Sequence, residues 1–242
     1  MYEYILSIDV ESKRRVANEG ALLEISMTVH DVESTAFVNA ATFRFTTKGP
    51  FTEGTLNWLK KEKILDMFVD KMKGGYSKSK NEEETLRMNA YVLKIQGMYP
   101  GVKTVLYPVA FDWAFLNYMF YTYVGDNPLG YNARDLDSYA EALYGVQGWE
   151  EEEYKLIEET HASMDYDKRR SLCRSVDAVD TIRDIQSHDS LYDACHQGIM
   201  ICKVLKALEA RDAPEEKEAA SPNKRRKSPS ESPTAAEETM EN

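Results

Sequence analysis

The 242-residue chain is 43% hydrophobic and 11% aromatic, enough to bury one sizeable core, or one core plus an appendage. Its formal net charge of -11 argues against broad electrostatic binding of nucleic acid, although carboxylates that hold divalent metal would make part of that charge nominal. No apolar run reaches membrane-spanning length, and Cys173, Cys195 and Cys202 show no zinc-ligand spacing; a reducing intracellular compartment and no membrane partner are expected.

The start, "MYEYILSIDV", carries Glu3 and no basic n-region, so it reads as a first strand and not as a signal peptide. Two more strand-like segments follow, "ALLEISMTVHD" and "AFVNAATFRFTT", joined by a short polar turn that predicts a hairpin. "TEGTLNWLKK" opens on a Thr cap and an early Glu and reads as a helix. "NEEETLRMNAYVLKIQG" opens on Asn81 and three glutamates and predicts a helix with Leu86, Ala90 and Leu93 on its apolar face. "GGYSKSK" at Gly74 lacks the spacing of a phosphate-binding loop. The buried-type strand "KTVLYPVA" runs into the helical "DWAFLNYMFYTYV". "GYNARDLDSYAEALYG" reads as a short extended piece and then a helix ended by Gly145. Six glutamates between Glu150 and Glu159 belong to one solvated helix. The last helix, from about Ser190 to Arg211, carries a stripe of Leu191, Ala194, Cys195, Gly198, Cys202, Leu205 and Leu208. Cys195 and Cys202 lie on one side of it as reduced core residues.

Three strands followed by strands alternating with helices predict one α/β domain with a mixed sheet over residues 1–210. Residues 211–242 hold no aromatic and hardly a large apolar side chain; they cannot offset their ordering entropy and are expected to form a disordered charged tail. Within it, "PNKRRK" (Pro222 to Lys227) is bordered by Ser-Pro pairs at Ser221, Ser228 and Ser232. It reads either as a nuclear import signal beside phosphorylation sites or as a solvated basic cluster.

The tetrapeptide DVES occurs twice, at Asp9 to Ser12 and at Asp31 to Ser34. In a strand, Asp9 and Glu11 project to the same face and repel each other unless a proton or cation intervenes. They read as half of a magnesium site or as a solvated strand end. Asp31 and Glu33 lie where a hairpin turns, which suits Asp and Ser without further function. Asp112 stands where the buried strand gives way to a helix, as an N-cap or as a third acid. His188 falls in the polar lead-in of the last helix. Asp193 lies just inside that helix, off the main stripe on the side of Met200 and Val204, where an acid needs a partner or a cation.

In that order, with "IDVES" first, "AFDWAFL" second and "HDSLYDA" third, the chain resembles the DEDDh 3′→5′ exonucleases of the DnaQ-like, ribonuclease H-like superfamily. "LLEISMTV" is similar to the family's second strand. "TLNWLKK" and "NARDLDSYAEAL" look like the branch of phage exonuclease A and the bacterial 3′-5′ exoribonucleases. The resemblance spans nearly all of residues 4 to 208. It implies a mixed sheet of three N-terminal antiparallel strands and then parallel strands, flanked by helices. It further implies two Mg²⁺ or Mn²⁺ ions held by Asp9, Glu11, Asp112 and Asp193, and His188 as general base, whose ordinary pKa of about 6.5 suits that task near neutral pH. The substrate would be the 3′ end of single-stranded DNA or RNA, with nucleoside 5′-monophosphates released. Trp58 would stack on a terminal base or pack its helix onto the sheet with Leu59, and Ser12 would contact the terminal sugar. Arg134 and Asp137 flank a helix start, with Asp137 as a cap. The chain departs from the family where Ser12 and Lys13 replace a common Thr-Gly, where Ser190 replaces a small apolar residue, and in the acidic helix. A catalytically silent module that binds nucleic acid or protein is the alternative; its signature would be a lost ligand, and none of the five residues is missing.

Overall fold

The computed structural model describes residues 2–18, 20–165, 171 and 188–213. Cys173, the Pro222–Lys227 cluster and all of the tail beyond residue 213 lie outside the described residues. Residues 1–212 form one compact unit.

β1 (Tyr4–Ser12), β2 (Leu22–Asp31) and β3 (Phe37–Arg44) are followed by α1 (Glu53–Lys61), α2 (Leu65–Lys71) and α3 (Lys78–Met98). Then come β4 (Lys103–Leu106), α4 (Val109–Tyr123), β5 (Arg134–Asp135), α5 (Leu136–Tyr144), α6 (Val146–Ser163) and α7 (Ser190–Asp212). The five strands form one sheet in the order β3-β2-β1-β4-β5. β1, β2 and β3 pair antiparallel, and β4 adds parallel to β1 and β5 parallel to β4. This is the α/β, ribonuclease H-like mixed sheet, with the predicted β2–β3 hairpin. α2 has no counterpart among the predicted elements.

Period-two alternation gives the sheet two unlike faces. Leu6, Ile8 and Val10 of β1, Ile25, Met27 and Val29 of β2, and Ala41 and Phe43 of β3 build one apolar face. It is covered by Met88, Val92 and Ile95 of α3 and by Phe115, Leu116, Met119 and Phe120 of α4. The opposite face alternates into Ser7, Asp9 and Glu11 on β1, Glu24, Ser26, Thr28 and His30 on β2, and Thr42 and Arg44 on β3. α7 lies across this polar face. Its approach is close: Thr28 Oγ1 donates to the Ala194 carbonyl at 3.0 Å, and a methyl group at Gly198 would overlap the His30 ring.

Two helix faces differ from the sequence reading. α3 starts earlier, with Ser77 as its cap, and buries Asn81, Thr85, Met88, Val92 and Ile95, whereas Leu86 and Leu93 are 48% and 54% exposed. Hydrogen bonding decides this: Asn81 accepts from the Thr46 amide at 2.7 Å and donates to the Thr46 carbonyl at 3.0 Å, so a polar residue leads the buried stripe. α7 is buried almost all round, because α5 and α6 pack on the side away from the sheet and enclose Met200, Ile201 and Val204. The Thr52 cap of α1, with Thr55 N–H donating to Thr52 Oγ1 at 3.2 Å, and the Gly145 stop of α5 match expectation. The glutamate-rich segment is helical, within α6. Asp137 does not cap α5; Asp135 stands at that position, and Asp137 accepts a 2.9 Å hydrogen bond from Trp149 Nε1 instead. No described helix is long and apolar enough to cross a membrane.

Candidate active site and metal centre

Asp9 and Glu11 stand at the end of β1 on the polar face, and Asp193 descends on them from the first turn of α7. Carboxylate oxygens of these three residues lie within 4.8 Å of one another. Asp112 belongs to the first turn of α4, whose cap position is Pro108, so it is not the N-cap. It is 2% exposed, accepts the Val10 backbone N–H, and its Oδ2 has no hydrogen-bond partner among the described residues.

Close, desolvated carboxylates favour their protonated forms. Burial raises Asp9 to about 7, against a 2.9 Å hydrogen bond from Gln197 Nε2 that favours its anion. Burial and the Asp9 charge push Glu11, Asp112 and Asp193 well above the carboxylate range. A hard divalent cation would relieve the same repulsion. Converging carboxylate oxygens, with one buried oxygen of Asp112 and one of Gln197 lacking partners among the described residues, form a donor set of the kind that Mg²⁺ or Mn²⁺ takes, so the residues fit the group. Asp9, Glu11 and Asp193 could hold a metal ion.

His188 stands two residues before α7, next to its cap Asp189. Its backbone is left-handed, with φ +67°, which costs a non-glycine residue about 1–2 kcal/mol; its N–H donates to Asp193 Oδ2 at 2.8 Å. The base candidate and the acid candidate are thereby tied together. Burial lowers the His188 pKa, with Glu62 opposing. The Trp58 ring meets the His188 ring edge-on, centroids 5.1 Å apart, and also leans on Phe68. Trp58 is 40% exposed, while its neighbour Leu59 is fully buried; Leu59 therefore anchors α1 and Trp58 borders the site. Ser12 lies beyond a register shift in β1, and its hydroxyl donates to the Arg14 carbonyl at 2.5 Å. Arg134 is exposed at the start of β5.

Four residues escaped the sequence reading. Glu24 faces Glu11 directly across the β1–β2 pair, with its side chain fully buried. It receives hydrogen bonds from Lys71 Nζ (2.8 Å), Ser190 Oγ (2.7 Å) and Arg44 Nε (3.0 Å). Lys71, on the last turn of α2, is also buried and stands 3.9 Å from Asp189 Oδ2. Burial disfavours its charge, but Glu24, Asp189 and Glu11 outweigh that and raise its pKa. Asp189 accepts the Leu191 N–H at 3.1 Å and so caps α7. Gln197 follows Asp193 by one helical turn. A polar alternate row in β2, Glu24-x-Ser26-x-Thr28-x-His30, was the available signal for Glu24; nothing local marks Lys71. The two departures noted in sequence also find partners. Ser190 serves Glu24 and lies 2.8 Å from Ser26 Oγ. Lys13 is fully buried and donates to the carbonyls of Lys48 and Gly49, fastening the segment that leads to α1.

No family model matches the chain. It is 34% identical over 88 residues to the 3′-5′ DNA exonuclease Cap18 of Escherichia coli. That match covers 36% of this chain and 36% of the relative, so the chain matches little more than a third of that protein's length. A solved complex described as 3′-end specific recognition of histone mRNA stem-loop by 3′-exonuclease aligns at TM-score 0.49 and 9% identity, over 85% of this chain and 82% of that one. The nuclease domain of 3′hExo, a DEDDh family member, bound to rAMP, aligns at TM-score 0.54 and 12% identity, over 85% of this chain and 92% of that one. The chain has the fold of a DEDDh exonuclease. Within that DEDDh fold, the first DVES lies on the central strand against α7, and the second forms the β2–β3 turn, where Asp31 Oδ1 accepts from Ser34 N–H (2.7 Å) and Oγ–H (2.6 Å).

Proposed function

We propose that this chain is a metal-dependent 3′–5′ exonuclease that releases nucleoside 5′-monophosphates from single-stranded DNA or RNA. The observation that carries the reading is the convergence of Asp9, Glu11 and Asp193 from two elements remote in sequence. The buried Asp112 lies within reach of the charges of Asp9 and Asp193, and the His188 backbone N–H donates to Asp193. The relative named as a 3′-5′ DNA exonuclease supports the reaction and weights the choice toward DNA.

Asp9, Glu11 and Asp193, with Asp112, would hold the ions. When bound, divalent ions supply the positive charge that acidifies a water and offsets charge on the displaced 3′ oxygen. His188, kept neutral near pH 7 by burial, takes the proton of the attacking water, and the bond from its backbone N–H to Asp193 fixes where the residue stands. Trp58 stacks on the terminal base, a contact worth about 1–3 kcal/mol. Ser12 contacts the terminal sugar only if its hydroxyl leaves the Arg14 carbonyl.

Degradation of 5′-labelled single-stranded DNA and RNA, with Mg²⁺ and with EDTA, tests the proposal. The expected result is a ladder shortening from the 3′ end in Mg²⁺ alone; intact substrate under both conditions sinks it. His188→Ala should lose about 10²–10⁴-fold in kcat. At saturating Mg²⁺ it should also lose an acidic limb that, in the unaltered protein, lies below the usual imidazole range; an acidic limb retained by the variant removes His188 from the role.

A further inference from the structure

We infer that Lys71 is a positioning residue, whose ammonium group pins the start of α7, and with it His188 and Asp193, against β2. This inference rests on the nuclease reading. Three elements meet at the amine. Lys71 Nζ comes from α2, Glu24 from β2, and Asp189 from the cap of α7. Ser190 closes the group by donating to Glu24 Oε1, the oxygen that Lys71 also holds. The Lys71 and Glu24 side chains are 4% and 0% exposed, so neither can change partner without moving an element.

The consequences follow along the chain. The fully buried Glu24 lies opposite the half-buried Glu11, and Lys71, with the more exposed Arg44 on the other oxygen of Glu24, offsets a repulsion that would push β2 and its attachments away from the metal ligands. Asp189 caps α7, its carbonyl accepts the Asp193 N–H at 2.9 Å, and Asp193 in turn holds His188. A cation fixed between Glu24 and Asp189 therefore sets where the base and the last acid stand relative to β1. The same lysine helps to fasten the α1–α2 pair that carries Trp58, together with the apolar cluster of Leu23, Leu59, Ile64 and Phe68 and a 3.2 Å hydrogen bond from Thr55 Oγ1 to the Lys13 carbonyl.

The test separates positioning from mere stability. In Lys71→Met/Glu24→Gln the closest charge pair is removed together, Gln keeps an acceptor for Ser190 and Arg44, and Asp189 keeps the Leu191 N–H, so the melting temperature should stay within about 5 °C of the parent, by analogy with buried ion pairs replaced as units. The inference expects kcat to fall at least tenfold, beyond any rise in KM that comes from loosening α1 and its Trp58. It also expects faster hydrogen–deuterium exchange at the His188 and Leu191 amides. Both readouts at parental values, with the fold intact, overturn it. Should the double variant fail to fold, Ser190→Ala removes one strand of the tether without a charge. Accelerated exchange at those amides and a lower kcat support the inference, and parental values overturn it. Exchange is read without substrate or metal. If the unaltered protein shows no nuclease activity, the functional reading falls, while the exchange result still reports whether the tether exists.

Discussion

Asp31 accepts two hydrogen bonds from Ser34 at a hairpin turn, which hold its carboxyl below the usual range, whereas burial pushes Asp9 up to about 7. Replacing Asp31 and Glu33 by Asn and Gln should leave activity within about threefold, because an amide oxygen can accept the same turn bonds. The same pair of changes at Asp9 and Glu11 should abolish activity with the circular dichroism spectrum retained, since neutral amides do not supply the anionic charge that holds divalent ions. Equal sensitivity of the two copies in folded proteins would refute the assignment. The raised acids also predict a pH dependence. A carboxyl whose folded pKa exceeds its unfolded value near 4 binds a proton more tightly when folded, so stability is lost as pH rises through the folded value. In EDTA the melting temperature should therefore fall between pH 5 and pH 8. Added Mg²⁺ should raise it more at pH 8 than at pH 5, because ligation needs the anions. A melting temperature that climbs over this range in EDTA, and does so equally in Asp9→Asn, would count against the raised value.

At the scale of elements, α7 carries most of the site's geometry, and its approach to the sheet depends on one missing side chain. Gly198→Ala should cost about 1–3 kcal/mol, because the added methyl must displace the buried His30 ring or lift the helix. If the helix lifts, Asp193 and Gln197 withdraw from Asp9 and activity falls with stability; chemical denaturation and turnover measured on one sample would show both. An unchanged denaturation midpoint would mean that the contact relaxes freely. α3 shows why element faces were less legible than elements. Leu86, Ala90 and Leu93 form a hydropathic stripe, but Asn81 and Thr85 bury instead, since Asn81 pairs with Thr46 and Thr85 donates to the Asn81 carbonyl at 2.7 Å. Hydropathy ranks side chains by their transfer from water unpaired, and a satisfied amide avoids most of that cost. α2 was missed because "ILDMFVDK" is short and its buried apolar residues are only Ile64 and Phe68, too few for a periodic signal.

At the scale of the molecule, deletion of residues 214–242 should leave nuclease turnover near that of the full chain, since the four acids, His188 and the described core residues all precede that segment; a drop beyond about threefold in a folded protein would show that the tail takes part. If Pro222–Lys227 is an import signal, the deletion should also abolish nuclear accumulation in a eukaryotic cell, and an unchanged distribution would discard the signal. Alternation along β1, β2 and β3 was legible from the letters because side-chain period is a local property of an extended chain. The pairing of Asp9 with Glu11 on one face followed from it, and the order of the acidic motifs followed from position along the chain. What surrounds those acids was not local. Strand register sets Glu24 against Glu11. A helix 47 residues further on brings Lys71 to Glu24, and a strand-to-helix crossing 188 residues long brings Gln197 to Asp9. The sequence by itself determined side-chain type, local period and the order of the acidic motifs, and so a set of candidates and a family resemblance. Only the tertiary structure decided which charges share a desolvated space, because Coulomb energy and desolvation depend on distance and burial and not on separation along the chain.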